Sequence, residues 1–168
     1  MIIFYVIIFL VFLTAAFGAI SAAPWLPTRK RDVARMIELA QVREGDVVYD
    51  LGCGDGRLVF AAAKKGAKAT GVEIFVLPYL FAKIKSFFVP GSKILYGDFF
   101  GRNISNADVI FVFLLSMSYG RLLKKFNQEL KPATRVVVSC WPINEWQPER
   151  VDKPNKNQLT IYLYKFRR

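Results

Sequence analysis

The sequence predicts an α/β fold: a mainly parallel sheet with helices on both faces, preceded by one apolar N-terminal helix. Three observations carry that prediction. Short runs of β-branched and aromatic residues alternate with segments of helical apolar spacing, the order that builds a parallel sheet. One run, Val109 to Leu115, is apolar throughout, as a strand covered on both faces must be. The first 28 residues carry no charged side chain, and Ile2 to Ile20 is almost wholly apolar.

A helix over Ile2 to Ile20 is roughly 28 Å long, close to the hydrocarbon thickness of a bilayer. A cleaved signal peptide would need a basic start and a shorter apolar core. Ser21-Ala22-Ala23 offers small residues for cleavage, but no Lys or Arg precedes the stretch. Residues 1–23 are therefore expected to be a retained transmembrane anchor, with residues 24–168 forming one domain. Arg29, Lys30, Arg31 and Arg35 follow closely, which places the domain on the cytoplasmic side of the membrane.

Pro24-Trp25-Leu26-Pro27 cannot be helix interior and forms a joint, with Thr28 a candidate cap for the next helix. Val33, Met36, Ile37 and Ala40 recur at helical spacing, so that helix runs to about Gln41. Val47 to Leu51 reads as a buried strand running into a glycine-rich turn, and Arg57 to Lys65 as an alanine-rich helix closed by Gly66. Ala67 to Ile74 is the second strand. Leu77 to Phe88 is a helix with Pro78 in its first turn. Its aromatics and lysines suit lipid contact, contact with a membrane-protein substrate or core packing alike. Lys93 to Tyr96, Asp108 to Leu115 and Arg135 to Cys140 are further strands, with a helix over Tyr119 to Leu130 stopped by Lys131-Pro132. A short strand is expected at Arg150 to Asp152, and the alternation in Leu159 to Phe166 suits a strand near the sheet edge.

Composition removes several chemistries. Without histidine there is no Ser-His-Asp triad and no imidazole metal site. Cys53 and Cys140 have no metal-ligand spacing and are expected to be buried small hydrophobes. The net charge of +11 suits anionic lipid beside an anchored domain. No basic run interleaves with stacking aromatics, so nucleic acid is not the expected partner.

The chemistry is concentrated in Asp50-Leu51-Gly52-Cys53-Gly54-Asp55-Gly56. Alternate glycines let the chain turn sharply and let a ligand approach main-chain N–H groups. A dinucleotide site requires glycine where Arg57 stands, and a P-loop requires Gly-Lys-Ser/Thr. Asp50, at the strand tip, would repel a pyrophosphate but suits a ligand bearing an ammonium and a sulfonium. Glu73 ends the second strand, where a carboxylate can accept ribose hydroxyls, and Asp98 with Phe99 follows the third, near the expected adenine.

These residues resemble the motif set of class I S-adenosylmethionine-dependent methyltransferases. The resemblance implies a Rossmann-like sheet of seven strands with a reversed last strand, S-adenosyl-L-methionine as cofactor, and binding by Asp50, Gly52, Cys53, Gly54, Gly56, Glu73, Asp98 and Phe99. Tyr49 to Arg57, Pro24 to Thr28, and Arg135 to Pro142 with Trp146 are also similar to the small membrane-anchored protein-lysine methyltransferases. Mitochondrial members modify the c-ring protein of ATP synthase and the adenine nucleotide translocator. That narrower resemblance implies a lysine of a membrane or membrane-adjacent protein as substrate, with Thr28 and Pro27, and Trp25 beside them, closing over the methyl group. It implies a matrix-facing domain on the mitochondrial inner membrane in a eukaryote. Serine is usual there at the position of Cys53.

Phe113 to Met117 lacks the Asn/Asp-Pro-Pro-Tyr/Phe turn of enzymes that methylate nucleobase or glutamine nitrogens. Lysine, lipid, quinone and other small-molecule acceptors stay open, as does a non-catalytic module that only binds the cofactor.

Overall fold

In the computed structural model, the described residues are 28–167 together with positions 1, 4, 5, 8 and 9. The anchor expected at residues 1–23, and Trp25 and Pro27, lie outside them apart from those five positions. Among the described residues no helix is long and apolar enough to cross a membrane.

The elements follow in the predicted order: α1 (Lys30–Leu39), β1 (Val47–Leu51), α2 (Arg57–Ala63), β2 (Lys68–Glu73), α3 (Val76–Ser86), β3 (Ser92–Tyr96), β4 (Val109–Val112), α4 (Tyr119–Glu129), β5 (Arg135–Ser139), β6 (Arg150–Asp152) and β7 (Ile161–Lys165). Seven strands form one sheet in the order β3-β2-β1-β4-β5-β7-β6. The first five run parallel, and β7 is antiparallel to both neighbours. The reversed strand is thus enclosed between β5 and the short β6, which takes the edge.

The central strands serve two cores. Val109, Phe111 and Val137 pack under α1, α2 and α3, while Ile110, Val112, Val136 and Val138 pack under α4. This is why β4 and β5 carry unbroken apolar runs. The second face has only one α-helix among the described residues. A 3₁₀ turn (Phe99–Gly101) follows β3, and an aromatic loop follows β5. In that loop the Trp146 ring lies 6.0 Å from Phe126, 5.9 Å from Tyr164 and 5.5 Å from Phe166, centroid to centroid. The Ile143 N–H donates to the Tyr164 hydroxyl at 2.9 Å. Packed rings fill the space a helix would occupy.

Three expectations are corrected. β4 ends at Val112 rather than Leu115, because the chain leaves the sheet for a 3₁₀ turn at Ser116–Ser118. Thr28 does not cap α1: the N-cap is Arg29, and no side chain bonds there. Cys140 is half-buried and takes a φ of 77° as β5 ends, so it is a strained strand-tip residue rather than core filler.

α1 is clamped to the β6–β7 connection by charge. Asp32 is fully buried and meets Arg35 at 2.9 Å; Arg35 reaches on to the Asp152 carboxylate at 2.7 Å and the Leu159 carbonyl at 3.0 Å. This network holds the entry of the domain against its last strands.

Candidate functional site

The glycine turn sits at the carboxyl end of β1. Gly52, Gly54 and Gly56 take φ values of 85°, 55° and 76°, a left-handed backbone that side chains resist. Close approach matters at a fourth glycine. A Cβ on Gly71 in β2 would stand 2.6 Å from the Cys53 sulfur and 2.7 Å from Val59 Cγ2. The bare strand therefore lets the turn and α2 settle on the sheet, with the Cys53 thiol as packing.

The turn's N–H groups are not turned toward a ligand as expected. Gly52 and Cys53 both donate to the Val72 carbonyl at 3.0 Å, Gly54 donates to Glu73 Oε2 at 2.6 Å, and Gly56 donates to the Cys53 carbonyl at 2.9 Å. With these donors spent inside the protein, what the turn offers is a group of carboxyls that ionise toward a cation. Such a site repels phosphate and receives a cation.

Asp50 is 5% exposed, and no described residue donates a hydrogen bond to its carboxylate. Burial, and then the charges of Glu73 and Asp55, push its pKa up to about 8. Glu73 is buried too, and burial raises its pKa, with N–H donors from Phe75, Gly54 and Ile74 holding it back. Its second oxygen accepts from Phe75 N–H at 2.8 Å. Glu73 thus braces the turn against the tip of β2. Register places the three acids on adjacent strands: Asp50 pairs across from Gly71, and Glu73 across from Tyr96, two residues before Asp98.

Asp98 is exposed. Its carboxylate accepts from Phe100 N–H at 2.9 Å and lies 3.8 Å from the Arg121 guanidinium, which also covers the Phe100 ring. Phe99 is buried in the second core, packed on Phe100 with ring centroids 4.4 Å apart.

The sequence reading missed two positioning groups. The Arg57 guanidinium grips the Asp55 carboxylate on one side and the Thr28 carbonyl on the other. It ties the buried Thr28 to the glycine turn. The signal was Arg57 itself, directly after the last glycine. Lys125 is the second: its ammonium bonds the Phe100 and Arg102 carbonyls at 3.2 and 2.5 Å and pairs with Glu129 at 2.6 Å. It fixes the chain after Asp98 to α4. Nothing in local spacing reveals a lysine that works from a helix on the far face.

Comparison with known proteins places this geometry. A protein-lysine N-methyltransferase from Saccharolobus islandicus (strain REY15A) is 43% identical over 148 residues, 84% of this chain and 92% of that protein. The human lysine N-methyltransferase that acts on the c-type subunit of ATP synthase is 30% identical over 131 residues, 76% of this chain; the match spans 56% of that protein's length. Among solved structures, an RNA methyltransferase from Salinibacter ruber, in complex with S-adenosyl-L-homocysteine, superposes with a TM-score of 0.77 and 34% identity. The match covers 83% of this chain and 93% of that one. The ANTKMT methyltransferase domain model matches residues 50–150, from the tip of β1 to the start of β6, and the chain belongs to that methyltransferase family.

Proposed function

We propose that the protein is an S-adenosylmethionine-dependent protein-lysine methyltransferase, held to a membrane by residues 1–23, acting from the cytoplasmic side on a membrane or membrane-adjacent protein. The observation that carries the reading is Asp50: a buried carboxylate with no donor among the described residues, at the tip of a turn where the N–H groups of Gly52, Cys53, Gly54 and Gly56 are occupied. A ligand with an ammonium and a sulfonium supplies the missing counter-charge, and a nucleotide phosphate does not.

The donor set fits the rest of that cofactor. Asp50 takes the ammonium side. Glu73 keeps acceptor capacity for ribose hydroxyls beyond its bonds from backbone N–H groups. Asp98 takes the adenine amine, exchanging its contact with Arg121. The cofactor supplies a methyl group already activated on sulfur, so the protein's task is alignment and exclusion of water. Arg57 carries out part of that task by holding Thr28 beside the turn. A lysine amine gives its proton to water before attack, so no histidine is required.

The lysine specificity is supported by the Saccharolobus relative, and the membrane setting by the uncharged stretch Ile2 to Ile20. Membranes incubated with the full chain and radiolabelled S-adenosylmethionine should yield a labelled protein band. Mass spectrometry should then find increments of about 14 Da, one CH₂ each, on lysine. Asp50→Ala should abolish the label. Label confined to the lipid extract, or to RNA nucleosides, would refute the lysine assignment, and absence of cofactor binding would refute the whole reading.

A further inference from the structure

α3 is inverted relative to an ordinary surface helix. Its sheet-facing side is Pro78 and Ala82, both buried, while Leu77, Leu80, Phe81, Ile84, Phe87 and Phe88 are exposed. Phe81 is 70% exposed, Phe87 75% and Phe88 80%. These three side chains alone leave roughly 350–550 Å² of apolar surface in water. That equals the largest apolar patch on a typical monomer, before the leucines and isoleucine are added.

Charge surrounds the patch in a definite pattern. At about 100° per residue, Leu77, Leu80, Phe81 and Ile84 within α3 and Phe87 at its C-cap fall in an arc of about 120°, with Lys83 and Lys85 each about 40° beyond its edges, and Phe88 follows in the turn. Residues 74–97 contain three lysines and no acidic residue. An apolar face bordered by lysines on both sides matches a helix lying in a lipid headgroup layer, its rings among the acyl chains and its ammonium groups at the phosphates.

The placement is consistent with the chain's N-terminal stretch. α1 and α3 pack on the same face of the sheet. Both begin at the end that carries the glycine turn, since Arg57 holds the Thr28 carbonyl there and α3 starts directly after Glu73. Thr28, eight residues after the uncharged stretch Ile2 to Ile20 in the sequence, therefore lies at the end where α3 begins.

We propose that the exposed face of α3 docks on an anionic lipid surface, a contact separate from the N-terminal apolar segment and independent of methyl transfer. A second copy of the chain is a poorer occupant, because the lysines that border the patch would meet their own kind.

The test uses the full chain reconstituted alone in vesicles of phosphatidylcholine with about one-third phosphatidylglycerol. The photo-crosslinking residue p-benzoylphenylalanine replaces Phe81 in one sample. In the control it replaces Lys124, exposed on α4 across the sheet. Phe81 is expected to form lipid adducts at least about fivefold more than the control position, in line with selective rather than tethered contact. Lys83→Glu with Lys85→Glu should cut that yield by roughly fivefold per lysine. Equal labelling at both positions, adducts to residues 2–27, adducts to a second copy, or no adduct would each overturn the proposal. Because the readout is a lipid adduct, it stands or falls without reference to the enzymatic reading.

Discussion

Asp50 links ligand binding to a proton. Its pKa of about 8 leaves it roughly nine-tenths protonated at pH 7 when no ligand is present. An ammonium placed beside it favours the ionised form, so binding S-adenosylmethionine expels the proton. About 0.9 proton should be released per cofactor at pH 7, and affinity should rise close to tenfold per pH unit between about pH 5.5 and 7. That window avoids the ligand's own groups, since an α-amine titrates near about 7.7–8.0 or above and an α-carboxyl below about 3.7. Calorimetry in two buffers of different ionisation enthalpy measures the release directly. In Asp50→Asn the released proton and the pH slope should both vanish. The sign for folding is opposite. The folded pKa lies above the ordinary 3.8, so the unfolded chain sheds its proton first. The unliganded protein should lose stability as pH rises from about 4 to 8, and saturating cofactor should cancel that loss. Wild-type binding without proton release, or identical release in Asp50→Asn, would refute the argument.

Other expectations follow from packing and charge. Arg35→Met should cost about 3–5 kcal/mol in denaturant unfolding, because the buried Asp32 loses its close partner and keeps Arg31 only at 3.8 Å; adding Asp32→Leu should recover much of it. If the single and double variants unfold alike, the buried carboxylate is not the cause. Gly71→Ala should lower stability by about 1–3 kcal/mol, since its methyl would stand 2.6 Å from the Cys53 sulfur; an unchanged urea midpoint would show that α2 moves freely. Arg57→Lys cannot grip Asp55 and the Thr28 carbonyl together. Losing that charged bond should speed tryptic cleavage after Arg29 about ten- to a hundredfold, and cofactor at saturation should slow it again.

Much of this molecule is written locally. Strand-and-helix order follows from the period of apolar residues, because each element buries its own face wherever it lies. The turn from Gly52 to Gly56 is equally legible, since its positive φ values admit few residues other than glycine. Asp50 and Glu73 could be placed for the same reason: each belongs to a strand whose end is fixed by its hydrophobic run.

What tertiary structure decided are the pairings between segments far apart in the chain. That Glu73 braces Gly54, that Lys125 reaches back to Phe100 and Arg102, and that Arg57 holds Thr28 depend on which elements become neighbours. The sequence announces a helix rich in aromatics after β2, but only packing shows that Pro78 and Ala82 face the sheet while the phenylalanines face out. The acidity of Asp50 has the same origin. Its residue type is in the sequence; the burial and the neighbouring charges that move its pKa exist only once β1 and β2 lie side by side.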